Sequence, residues 1–128
     1  MKSKSIFLAL AILIPFIGCH SKESITVSSE LAGVWKTSAP KYKDCFFELN
    51  EHLIIFVSGD LLENIDVNFI SKIESTHKER QILYSIYYEN LEDQEFKFSF
   101  YYDPSNGGVI RFKNQEKIEW RKGNYSEY

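Results

Sequence analysis

Phe96-Lys97-Phe98-Ser99-Phe100-Tyr101-Tyr102 sets a large ring at every second position. Successive side chains of a β-strand point to opposite faces, so Phe96, Phe98, Phe100 and Tyr102 predict one apolar face. Upstream, Ile82, Tyr84, Ile86 and Tyr88 alternate with Leu83, Ser85 and Tyr87 in the same way. Two such runs predict neighbouring strands whose aromatic rows share one side of a sheet.

Working outward, Leu31–Thr37, Cys45–Asn50, Leu53–Val57, Val109–Lys113 and Lys117–Arg121 are also strand-like. β-branched and aromatic residues fill them, as a pleated surface prefers. Turn residues separate them: Asn50-Glu51, Ser58-Gly59-Asp60, Asp103 to Gly108 and Asn114-Gln115. Residues 62–75 carry two patterns. Leu62, Ile65, Phe69 and Ile73 fall at helical spacing, with Asp60 and Glu63 placed for a capping box. Ile65, Val67 and Phe69 also alternate with Asp66 and Asn68, and the Asn and Asp residues are poor helix formers. The second pattern is preferred: a long strand, Leu62–Ser75, pairing with Gln81–Glu89 through a turn at Thr76–Glu79. The expected fold class is therefore all-β, an antiparallel meander of about eight strands. A sheet with so many rings on one face must bury it, and closure into a small barrel does so while removing the edges. Side chains fill most of the interior of such a barrel.

The N-terminus has another character. Lys2 and Lys4 precede an apolar run from Ile6 to Ile17, shorter than the roughly 20 residues a spanning helix needs. This is the pattern of a secretory signal peptide. Its end, Ile17-Gly18-Cys19, resembles the lipobox of bacterial lipoproteins. That resemblance implies cleavage after residue 18, a lipid on Cys19 and attachment to a membrane. Two or more acyl chains hold a protein stably where one does not. By the same resemblance, His20 rather than Asp after the cysteine implies the outer membrane in a two-membraned envelope. Residues 19–30 are polar and Ser-rich, so a flexible tether is expected there, with the barrel domain over 31–128.

Leu31-Ala32-Gly33-Val34-Trp35 resembles the Gly-x-Trp opening of lipocalins and of small lipocalin-like bacterial lipoproteins. The resemblance implies that Trp35 closes one barrel end and that a cation of the last strand packs on its ring. Arg121 stands at the matching place, with Lys122 as the alternative. The 110 residues after residue 18 are fewer than a typical lipocalin holds. That length favours a filled interior over a large cavity.

The sequence carries no recognisable catalytic pattern. His20, His52 and His77 lie in the tether and in turns, and no zinc-protease or zinc-ribbon spacing occurs. Cys45, beside Phe46 and Phe47, reads as a buried thiol, or as the partner of Cys19 if the latter is not acylated. Removing residues 1–18 takes away two of fifteen cations and none of eighteen carboxylates, leaving a net charge of −5. Nucleic acid is thus not an expected partner. No cofactor, metal or enzymatic activity is expected. The aromatic residues Tyr84, Tyr88, Phe96, Phe98 and Phe100 are candidate ligand-lining groups, or core filling. The expectation is a non-catalytic module that binds a small apolar ligand or lipid. A second is a protein-interaction lipoprotein, an inhibitor or assembly accessory, meeting an envelope protein through its loops.

Overall fold

A computed structural model describes residues 21–59 and 64–123. Cys19, His20, the proposed capping residues Asp60 and Glu63, and the tail 124–128 lie outside the described residues. The strands are β1 (Ser21–Ser24), β2 (Gly33–Lys36), β3 (Phe46–Leu49), β4 (Leu53–Ser58), β5 (Asn64–Lys78), β6 (Gln81–Glu89), β7 (Glu95–Asp103), β8 (Val109–Phe112) and β9 (Gln115–Gly123). Short 3-10 turns occupy Pro40–Tyr42 and Ser105–Gly107.

Every pairing is antiparallel, and β2 to β9 form a closed eight-stranded barrel. β5 is its longest stave. Asn64–Phe69 pair with β4, and Phe69–Lys78 pair with β6 on the other edge. β1 joins where β4 stops, Ser24 opposite Ile73, as an extra strand outside the closed ring. Ser21–Ser24 thus belongs to the sheet although it falls in the stretch expected as a tether. Its four side chains are exposed, so the backbone ladder alone recruits it.

The interior holds Trp35, Phe47, Leu49, Ile54, Ile73, Ile86, Phe100, Tyr102, Ile110 and Trp120. Ile73 packs inward, but Ile65, Val67 and Phe69 of the same strand turn outward, against the simple reading of their alternation. A bulge between Ile70 and Lys72 shifts the phase of β5. Before the bulge it is Asn68 that points inward, 1% exposed. Its amide donates to the carbonyls of Ile54 (3.4 Å) and Asp66 (3.3 Å), which makes a buried polar group tolerable. The outward row is not isolated. Val67 pairs with Ile55 and Ile65 with Val57, beside a second apolar cluster of Val34, Phe46 and Val57 on the barrel's outer face.

Candidate functional site at the open end of the barrel

The two ends of the barrel differ. One is sealed by the segment between β1 and β2. The backbone N–H groups of Leu31 and Ala32 both donate to Ser28 O, making a tight turn that lowers Leu31 and Val27 into the core. Trp35 lies beneath, fully buried, its indole N–H donating to Leu31 O at 2.9 Å. The cation over its ring is Lys122, with Nζ 5.8 Å from the centroid. Arg121 does not fill that role. Trp120 points inward, so alternation sends Arg121 outward, to Glu119 (3.0 Å) and the Asn106 carbonyl (3.0 Å). The Lys122 stem passes over Gly33, where a Cβ would lie at ordinary contact distance, 3.4 Å from Lys122 Cε.

At the other end the aromatic rows emerge into water. Phe100 is 0% exposed and Phe96, two inward positions away, is 45% exposed. Tyr84 stacks on Phe100 (5.5 Å) toward the sealed end, and Tyr88 on Phe96 (5.6 Å) at the open end. The five candidate lining residues therefore divide. Phe100 and Tyr84 fill the sealed half, whereas Tyr88, Phe96 and Phe98 surround the mouth. Phe56 bridges them, 6.0 Å from Tyr88 and 5.7 Å from Phe98. Rings in mutual contact leave the barrel axis filled, so the space for a ligand lies at the mouth.

That space is an open cleft of about 710 Å³ between β7 and the tip of the β8–β9 hairpin, within the ~300–1,000 Å³ usual for small-molecule sites. Tyr42, Phe98 and Phe112 supply its rings, and Lys97 and Lys113 its cations. Pro40 starts the turn that delivers Tyr42. The Tyr42 hydroxyl donates to Gln115 Oε1 at 2.6 Å, and its ring sits 5.2 Å from Trp120. The Trp120 indole N–H is buried and has no hydrogen-bond partner among the described residues. An unmet buried donor costs about 1–3 kcal/mol, and this one belongs to a ring packed against two cleft residues, Tyr42 and Phe112.

Electrostatics distinguish the ends further. Burial, then the charge of Asp66, pushes the Tyr88 phenol above its ordinary pKa. Tyr84 and Tyr102 are pushed up as well, first by burial and then by the Glu30 carboxylate near the sealed end. These hydroxyls stay neutral donors at physiological pH.

The other singled-out groups do not converge. His52 is exposed, 3.8 Å from Glu51, and His77 is exposed on β5. Cys45 is a free, half-buried thiol. Among the described residues no three His, Cys, Asp or Glu side chains gather as a metal site would need. The sequence reading missed Tyr42, Phe56, Phe112, Lys113 and the orphan N–H of Trp120. Phe56 and Phe112 sit in strands it had drawn, so extending the alternation would have found them; Tyr42 lies in a loop that carries no periodic signal. Compared with known protein families, curated proteins and solved structures, the chain matches none.

Proposed function

We propose that this chain is a lipid-anchored, non-catalytic binding protein of the bacterial cell envelope, whose open barrel end takes a small amphiphile. The observation that carries the reading is the gradient of ring exposure along β7, from fully buried Phe100 through Phe98, which lines the cleft, to the 45% exposed Phe96. Rings left wet at the rim of an otherwise sealed barrel gain by covering, at about 25 cal/mol per Å² of apolar area. Lys97 and Lys113 suit an anionic head, and the rings suit a short apolar tail. The Gly33, Trp35 and Lys122 arrangement supports kinship with lipocalin-like lipoproteins. Lipidation rests on Ile17-Gly18-Cys19 and on the leader before it.

Two experiments test this. Cys19→Ala in the full chain moves the protein from the membrane fraction to the soluble one; retention on membranes overturns the anchor. That soluble variant is then titrated with dodecanoate, following tryptophan fluorescence. Saturable binding is expected, about tenfold weaker in Phe96→Ser, a loss of about 1.4 kcal/mol. Dodecanol should bind less tightly than dodecanoate. No saturable binding sinks the ligand reading, and equal binding of the two sinks the role of the head group.

A second reading, an envelope protein docking on the loops, is favoured by Leu91. It lies 77% exposed in the β6–β7 loop beside the mouth. Pull-down of one partner from solubilised envelopes, lost in Leu91→Ser, would support it; an unchanged pull-down would dismiss it.

A further inference from the structure

β8 is shorter than β7, and the consequence is an open edge. β7 pairs with β6 over its whole length, from Glu95 opposite Glu89 to Tyr102 opposite Ile82. On its other side, pairing with β8 begins only at Phe100, extended by one bond from Lys113 N–H to Ser99 O. Ser99 thus turns its backbone groups toward β8. At period two, Glu95 and Lys97 turn theirs the same way, where no strand lies beside them among the described residues. The cleft follows this edge.

We propose that the Glu95–Phe98 edge pairs with the same edge of a second copy of this chain, in a two-fold antiparallel register centred on Phe96. The sequence of the edge is self-complementary. In that register Glu95 of one copy lies opposite Lys97 of the other, twice over, and Phe96 lies opposite Phe96. The backbone groups of Glu95 and Lys97 face each other and close four hydrogen bonds. A two-fold contact of this kind uses one patch on both partners and terminates itself.

Two features of the free chain point the same way. Within one barrel Glu89 and Glu95 stand directly opposite each other, a like-charge pair that destabilises a sheet. The described residues supply no ion-pair partner to either. The second copy's Lys97 would arrive beside Glu95 and relieve that repulsion. Phe96, 45% exposed, would be covered by its own counterpart. Lys97 at present lies with Nζ 5.5 Å from the Tyr87 ring, on the outer face, where it can swing to the new strand. The second copy covers Phe96 and the Lys97–Ser99 side of the cleft, so in one protomer it competes with an amphiphile bound there.

The opposite residues at the two-fold axis form a non-hydrogen-bonded pair, about 4.5 Å between Cα atoms, within disulfide range. Full-length protein carrying Phe96→Cys, in its own membranes, is therefore oxidised with copper phenanthroline and run without reductant. A covalent dimer is expected, absent from the parent chain with its native cysteines and from Leu91→Cys, which lies off the axis. Adding Lys97→Pro removes the dimer. It costs no native ladder bond, because the N–H at 97 faces the empty side. Adding Lys97→Glu lowers the dimer about tenfold by setting like charges opposite one another, and the double swap Glu95→Lys with Lys97→Glu restores it. The proposal is overturned by no cross-link at 96, by one equal to that at 91, or by one indifferent to the charge swaps. A cross-link to a species of another mass gives the edge to a different protein and overturns the second copy as its occupant. Should Lys97→Pro fail to fold, the charge swaps decide alone.

Discussion

At Gly33 the backbone holds φ at +141°, a region in which side-chain-bearing residues are strained. The same position must let the Lys122 stem pass on its way to the Trp35 ring. The conformation, not the space, penalises a methyl group, since a Cβ would only touch the Lys122 stem at ordinary contact distance. Gly33→Ala is expected to cost about 1–3 kcal/mol, a fall in Tm of roughly 4–8 °C per kcal/mol in a domain of this size. Thermal unfolding followed by circular dichroism measures it, and an unchanged Tm would remove Gly33 from the sealing of this end. The resemblance placed the cation on Arg121, and alternation corrects it by one residue. Trp120 packs inward beside Phe47 and Phe112, so the next inward position is Lys122 and Arg121 must face out.

At the scale of elements, sequence legibility followed the strength of the alternation. β6 and β7 were legible almost to the residue, because four large apolar groups on each share one face and polar turns bracket them. β5 was legible as a strand that pairs with β6, but only Phe69–Lys78 do so. The strand runs on through Thr76–Lys78, where a turn was expected, leaving Glu79-Arg80 as the turn. Its polarity was not legible. Alternation tells which residues share a face but not which face is inside, and the bulge at Ile70 and Lys72 sets Ile73 inward while leaving Phe69 outward. β1 carried no signal at all. Its exposed Ser-Lys-Glu-Ser side chains contribute nothing apolar, and the strand exists because β5 offers a free edge beyond β4. The candidate site was half legible. The rings of β6 and β7 were marked, but only the three-dimensional stagger of β7 past the β8–β9 hairpin shows which of them reach water.

The molecule as a whole closes by joining its first barrel strand to its last, Trp35 opposite Lys122, so its stability responds to pH as one unit. Two sets of groups bound the range. Asp103 is held below the ordinary carboxylate value by the Ser105 hydroxyl and backbone N–H, and Glu119 by Arg121 and Arg111. A lowered folded pKa gives stability that is present above the unfolded value, about 4, and is lost as pH falls through the folded value. Tyr84, Tyr88 and Tyr102 are shifted the other way, above the unfolded phenol value of about 10. Their contribution is complete below that value. Above it the unfolded chain loses its phenol protons first, so stability falls with rising pH until the folded phenols ionise too. Urea midpoints should therefore be level across neutral pH, decline weakly in acid because both carboxylates are exposed, and decline again beyond about pH 10. Lysines titrate in the same alkaline range, so the decisive comparison is with Tyr84→Phe and Tyr102→Phe, which remove the shifted protons and keep the rings. Each should flatten the alkaline limb. A limb as steep in both variants as in the parent would mean that these buried phenols do not govern it.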